Sequence, residues 1–315
     1  MTRVGLLLAA LLAFVALPFV ATNYVLYLLN LMAINLILAV GLDILTGWTG
    51  QISLGHAGFA AIGAYASGLA ILHLGVPFWL ATPLAALFCA AVSLIIGAPA
   101  LRLSGHYLAL ATFGFGEVVQ LTIVHWESLT NGPRGLAIPA PDLGSVKLDT
   151  DRSLYFLIIP VTAVLMRLAW NLSRSGMGLA LLSIRMSELG ASSVGISLPR
   201  YKTLAFAVSA FYAGIAGALF GGMVKFVEPG AFSVAQSILY LTMIAVGGMR
   251  SIPGAIIGVV LLTLLPEILR GLQQYMELGY GLLLLTFIIF VPEGIYGRVR
   301  RWRSHAFPAP SAARA

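Results

Sequence analysis

Along the 315 residues, apolar positions gather into long runs separated by short polar joints. Runs of about 17 to 25 residues, the length a helix needs to cross the hydrocarbon core, fall near 4–20, 24–47, 54–74, 77–99, 106–126, 153–172, 203–224, 232–249, 253–270 and 278–296. This pattern predicts an all-α polytopic membrane protein of about ten transmembrane helices in one bundle. A membrane β-barrel would instead show short strands of alternating polarity. The first run follows Arg3 and imitates a secretory leader, but no Ala-x-Ala motif precedes Asn23, so it is read as a span.

Within the runs, small residues recur at helical spacing. The stretch 47–69 is apolar overall, yet opens with the polar residues Gln51, Ser53 and His56 among the glycines Gly47, Gly50, Gly55 and Gly58. Ala60, Ala64 and Gly68 then form one row and Gly63 and Ser67 another, a helix face stripped for close backbone approach. A polar, glycine-rich lead into such a helix suits backbone enclosed by protein rather than facing lipid. Ala210, Gly214, Ala218 and Gly222, flanked by Ala213, Gly217 and Gly221, repeat the device. The run Gly247-Gly248-Met249-Arg250-Ser251-Ile252-Pro253-Gly254 predicts a tight turn. Small-residue helices in both halves hint at an internal repeat.

Two joints exceed what a helix hairpin needs. Residues 130–152 begin Thr-Asn-Gly-Pro-Arg-Gly-Leu and read as a loop of turns. Residues 170–200 carry Leu179, Leu182, Met186 and Leu189 at spacings of three and four, with Arg185 and Glu188 three residues apart. That predicts a short amphipathic helix outside the bilayer, able to lie on the membrane surface or in a groove on a partner.

Composition confirms the class and charge orients it. Charged residues make up 9% of the chain and hydrophobic ones 60%, against about 25% charged in soluble domains. The net charge of +7 reflects arginines in short connections and the tail and carries no nucleic-acid signature. With the N-terminus in the cytoplasm, Arg102, then Arg174, Arg185 and Arg200, then Arg250, then the tail arginines 298, 300, 301 and 303 all fall inside. Both termini are therefore predicted cytoplasmic, with a bundle over 1–296 and a basic tail over 297–315. Cys89 is the single cysteine and sits in an apolar run, which excludes a disulfide framework or a cysteine metal site. The five histidines offer no ligand pair, so neither a metal nor a cofactor is expected.

Charges within the spans are few: Glu117 at mid-span, with Asp43 and Arg167 nearer inner ends. An intramembrane carboxylate is a functional candidate by default, or a structural hydrogen-bonding group. There is no G-x-x-x-x-G-K-[ST] phosphate loop, no G-x-S-x-G elbow and no H-E-x-x-H. The residues alone thus leave a channel, a carrier or the membrane half of a powered transporter, not an enzyme.

The strings themselves narrow this. The chain resembles the permease subunits of branched-chain amino-acid ABC transporters over nearly its full length. The resemblance is carried by 47–59 (Gly-Trp-Thr-Gly-Gln-Ile-Ser-Leu-Gly-His-Ala-Gly-Phe), by 102–117, by Thr130-Asn-Gly-Pro-Arg-Gly-Leu136, and by the inner segment 178–196. Lys202 to Gly217, Gly247 to Gly258 and Pro292-Glu-Gly294 are similar to the remaining blocks. It implies an importer in which a second permease subunit completes the channel, two cytoplasmic ATPase subunits drive it by alternating access, and a periplasmic binding protein delivers the amino acid at a bacterial inner membrane. The helix of 173–196 would be the coupling helix, with Gly178, Leu179, Leu182, Arg185, Met186, Glu188, Leu189 and Gly195 as its ATPase-coupling residues; Arg185 and Glu188 would fix its register on the ATPase. Gln51, Ser53, Gly55, His56, Tyr65, Thr112 and Glu117 would line the translocation path. Departures from the family pattern at Ser175, Met177, Met186-Ser187, Gly190 and Arg250 bear on which ATPase is the partner. Related permeases are associated with urea, amides and other small solutes, and a self-sufficient carrier using Glu117 is the rival of a different class.

Overall fold

The computed structural model describes residues 14–100, 105–142 and 148–268, and beyond those 275, 278–279, 281–282, 285–286 and 294–298. Six of its helices are long and apolar enough to cross a membrane. In chain order the helices are α1 (Asn23–Leu42, continued by a π turn over Asp43–Gly47), α2 (His56–Leu74), α3 (Phe78–Ala100), α4 (His106–His125) and α5 (Asp151–Ser173). After these come the short α6 (Gly176–Met186) and α7 (Glu188–Ser193), then α8 (Leu198–Val224), α9 (Val234–Gly247) and α10 (Ile252–Ile268).

The ends of these helices follow from local chemistry. The Thr22 hydroxyl accepts from the Val25 N–H at the start of α1, an N-cap. Thr150 and Ser153 form a reciprocal capping box at the start of α5. α8 begins with Pro199 in its first turn, where a missing N–H is harmless.

α8 is the axis of the bundle. It packs on α3, α2 and α1, and 78% of its most apolar window is enclosed, against 22% for α4. The two small-residue stripes of the sequence are the two sides of this packing. A Cβ on Gly63 would stand 2.6 Å from the Gly214 Cα, and one on Gly217 would run into the Ala60 carbonyl. Gly214 also faces the Ala86 Cα, at 2.8 Å from a would-be Cβ, so one face of α8 meets α2 and α3 at backbone distance. Polar glue fastens the rest: Asn30 Nδ2 donates to the Asp151 carbonyl at 3.0 Å and Asn35 Nδ2 to Thr263 Oγ1 at 3.1 Å, tying α1 to α5 and to α10.

Two expectations are modified, and two further runs fall partly outside the described residues. The runs 232–249 and 253–270 fold as α9 and α10, of 14 and 17 residues. At 1.5 Å per residue α9 spans only about 21 Å of a hydrocarbon core about 30 Å thick; Pro229 and Gly230 start a 3₁₀ turn just ahead of it, and the positive-φ turn at Gly248 and Arg250 ends it. The run 4–20 is described only from residue 14, which is helical to residue 20; most of 278–296, and the tail beyond 298, lie outside the described residues. Finally, the single amphipathic helix expected over 173–196 is two helices. Ser187 is extended (φ −162°) and its hydroxyl accepts from the Gly190 N–H, so it caps α7 and breaks the helix there.

The 130–152 loop also holds more order than turns alone. β1 (Leu136–Ala137) pairs antiparallel with β2 (Phe226–Val227), Leu136 opposite Val227. This joins the loop to the chain just beyond α8.

Candidate functional site

The expected coupling segment, 173–196, stands on one end of the bundle. Gly178 is there for space: a Cβ would lie 2.8 Å from the Ser173 carbonyl at the end of α5. Gly195 has φ +83° and makes the turn after α7. The face of α6 that meets the bundle is Leu181 and Ile184, fully buried, and α7 adds Ala191. Leu179, Met186 and Leu189 are exposed, Met186 and Leu189 by more than four-fifths of their surface. Leu182 lies between, half-buried against the core. Three of the four residues in the apolar stripe therefore face away from the bundle.

Arg185 and Glu188 are exposed too, but each also reaches a partner in its own chain. Arg185 Nη1 donates to the carbonyls of Thr46 and Gly47, at 2.7 and 2.6 Å. Glu188 Oε1 accepts from Lys202 Nζ at 2.7 Å, pairing a lysine that would otherwise be a buried lone charge. Both residues bind partners in their own chain as well as standing on the segment expected to meet another subunit. Burial lowers the pKa of the Arg185 guanidinium, Arg250 adds to this, and Asp43 opposes it; an arginine keeps its charge under such shifts.

The carbonyls that Arg185 holds belong to the π turn, and Asp43, Thr46, Gly47 and Arg250, all absent from the expected site, help to build it. Asp43 is buried and its Oδ1 accepts from the Arg250 N–H at 2.9 Å. Gly47 has no room for a Cβ beside that carboxylate. Thr46 Oγ1 donates to the Gln51 carbonyl at 3.0 Å, and the Gln51 N–H donates to Thr49 Oγ1. An Asp near an inner helix end was visible in the sequence; its partner is a backbone N–H two hundred residues away, which no side-chain pattern reveals.

The seven residues expected to line the path separate into groups. Gln51, Ser53, Gly55, His56 and Thr112 gather at the junction from the π turn into α2. Leu54 N–H donates to Thr112 Oγ1 at 3.0 Å, and a Cβ on Gly55 would strike the Thr112 carbonyl. His56 is enclosed: Nε2 donates to the Leu38 carbonyl of α1 at 3.0 Å, Nδ1 faces Ser209 Oγ of α8 at 3.4 Å, and its ring meets Tyr240 of α9 edge-on. Since a carbonyl only accepts, Nε2 carries the hydrogen. Ser237, another residue the sequence did not mark, receives the Ala57 N–H at 3.0 Å. Gln51 is buried, and its Nε2 has no acceptor among the described residues.

Tyr65 lies farther along α2, where its hydroxyl donates to the Val227 carbonyl at 3.2 Å. It lines a cavity of about 640 Å³ between α2, α3 and α4, whose walls are otherwise almost wholly apolar; the other six residues do not line it. Glu117 is half-buried on α4 and has no hydrogen bond or ion pair among the described residues. Among the described residues no three His, Cys, Asp or Glu side chains could hold a metal ion.

An apolar bundle packed around α8, with a helix pair fixed to one end and turning apolar side chains away from it, defines a multi-pass membrane protein. The family described as "Branched-chain amino acid transport system / permease component" matches residues 24–291, and the chain belongs to that family. It is 33% identical to the high-affinity branched-chain amino acid transport system permease protein LivM of Escherichia coli K12, over 93% of this chain and 75% of that protein. It is 26% identical to the LivH permease of Salmonella typhimurium and to the BraD permease of Pseudomonas aeruginosa, in each case over 83% of this chain and 91% of the relative. No solved structure matches the chain.

Proposed function

We propose that this chain is the membrane permease subunit of an ABC importer that moves branched-chain amino acids inward across a bacterial inner membrane. Its partners are a second permease subunit, two cytoplasmic ATPase subunits and a periplasmic binding protein. Membership of a family of transport permeases, with relatives named for branched-chain amino acids, supports the cargo. The observation that carries the powered mechanism is the pair α6–α7: Leu179, Met186 and Leu189 are exposed on an element packed on the bundle through Leu181, Ile184 and Ala191. A carrier driven by an ion gradient has no use for such a docking surface. In this proposal both termini are cytoplasmic, about ten spans complete the permease domain over 1–296, and 297–315 is a basic tail.

Of the seven path residues, Tyr65 and Glu117 are retained for the translocation path and the other five for the folded junction beneath it. A carboxylate at mid-span without a partner needs a polar neighbour, and α4 is the least enclosed of the six long helices. The second permease chain would stand against this side.

The test is ATP-dependent leucine uptake in proteoliposomes holding the chain with its partner permease, ATPases and binding protein, beside the variant Met186→Asp, Leu189→Asp. Uptake by the intact assembly, with loss of the co-purifying ATPases in the variant, is the expected result. Uptake that persists without any ATPase would refute the importer; success with urea and failure with leucine would change the cargo.

A further inference from the structure

The side chains expected to read the ATPase surface are engaged inside the chain, and the geometry of their engagement assigns them another task. We propose that Arg185 passes motion of the α6–α7 pair to the transport bundle by gripping the π turn of α1, with Glu188–Lys202 as a second grip on α8. The proposal rests on the importer reading above and names the residues through which that importer is coupled.

Leu181 and Ile184 hold α6 to the bundle by apolar contact. Such contact is non-directional and permits sliding. Arg185 adds direction. The last carbonyls of a helix have no partner within it, and its end carries partial negative charge. The Thr46 and Gly47 carbonyls lie at this end, the Thr46 oxygen already accepting the Gly50 N–H at 3.2 Å, and Arg185 meets both with one nitrogen at 2.7 and 2.6 Å, short charge-assisted bonds. An arginine from one element thus caps a helix of another.

The gripped segment is placed to transmit. On its other side, the Asp43 carboxylate holds the backbone of Arg250 in the turn between α9 and α10. Arg250 has φ +66°, a strained conformation for a side-chain-bearing residue. One π turn therefore joins α6, α1 and the α9–α10 turn. A π turn is itself a helix with one residue to spare, a form found where helices shift register at functional sites. The chain runs from it through residues 50–55 straight into α2, with Thr46 bonded to Gln51 and Leu54 bonded to Thr112 of α4. Displacing Arg185 displaces the start of α2, which meets α8 at backbone distance. Gln51 Nε2, buried in this junction without an acceptor, marks a segment whose hydrogen bonding is incomplete in this arrangement. The second grip, Glu188–Lys202, lies across the α7–α8 connection, so the helix pair is geared to α1 and to α8 separately.

The experiment uses the whole assembly in proteoliposomes, measuring ATPase co-purification, ATP hydrolysis and leucine uptake on the same samples. In Arg185→Ala the ATPases remain bound and hydrolysis stays within about twofold of the parent, while uptake falls about tenfold or more. Arg185→Lys, a cation without the guanidinium's geometry, falls between. Glu188→Lys and Lys202→Glu each lower the uptake per ATP hydrolysed, and the double exchange restores it. Loss of the ATPases from Arg185→Ala would make Arg185 a docking residue and overturn the proposal. A parallel fall in hydrolysis and uptake would make it a folding residue, and unchanged uptake per ATP in the four single variants would remove both grips. Failure of the unsubstituted assembly to bind ATPases or to import would instead refute the importer itself, and the proposal with it.

Discussion

Alanine at Gly63 puts a single methyl group into the backbone-to-backbone contact between α2 and α8. Its Cβ would lie 2.6 Å from the Gly214 Cα and 2.8 Å from its carbonyl carbon, with the carbonyl oxygen nearer still. All three are backbone atoms, so no side chain can rotate away; α2 and α8 must separate. Overpacking of this kind costs about 1–3 kcal/mol, and a contact made wholly by backbone belongs at the upper end. Alanine recovers about 1 kcal/mol of helix propensity, leaving a net loss of about 2 kcal/mol. Gly114→Ala is the control: nothing lies within 4 Å of its Cβ, so it gains the propensity without the clash. The two single-methyl variants should therefore differ by about 3 kcal/mol in opposite directions from the parent. Thermal unfolding of detergent-purified protein, followed by the loss of its monodisperse chromatographic peak, reads the order directly. Gly63→Ala as stable as Gly114→Ala would refute the close packing of α2 on α8 and, with it, the role of α8 as the axis.

Three further outcomes follow from the buried polar groups. His56→Ala removes a ring and two hydrogen bonds that join α1, α2 and α8, so stability should fall by about 3 kcal/mol while the KM for leucine in the surviving assembly stays unchanged; a KM effect with no loss of stability would return His56 to the path. Asp43→Ala strands the Arg250 N–H, a loss of about 1–3 kcal/mol in the same unfolding assay, and Asp43→Asn, which keeps an acceptor oxygen, should recover most of it. Cys89 is fully enclosed and its thiol donates to the Phe59 carbonyl at 3.4 Å; a water-soluble maleimide should leave it unlabelled in the folded protein and label it in step with unfolding, and rapid labelling of the native state would place α3 elsewhere.

What could be seen in the sequence was what repeats along it. Long apolar runs announced the spans, and the small residues around Gly63 and Gly214 announced faces meant for backbone contact, though not that each was the other's partner. The stripe Leu179, Met186 and Leu189 was legible because its spacing is regular. Its companions Arg185 and Glu188 show what periodicity leaves out: it says which residues share a face, while their intrachain partners Thr46, Gly47 and Lys202 lie elsewhere in the sequence. The break at Ser187 is a capping event within four residues, too local for a helical period to register. Asp43 with Arg250, His56 with Leu38, and Ala57 with Ser237 were hidden for one reason. In each pair at least one partner is a backbone group, and the backbone is the same at every residue.

The 27-residue length of α8 has a thermodynamic consequence. Near its first turn Lys202 is tied to Glu188, and just past its last turn Phe226 and Val227 are laddered to the 130–142 loop. One stiff rod of about 40 Å therefore has a handle at each end. Linkage through such a rod is symmetrical: if occupancy of the loop end changes affinity at the helix-pair end by some factor, occupancy of the helix-pair end must change affinity at the loop by the same factor. A ligand arriving on one face of the membrane and a nucleotide-dependent partner on the other would then hold a single free energy in common, and a titration on either side would measure it.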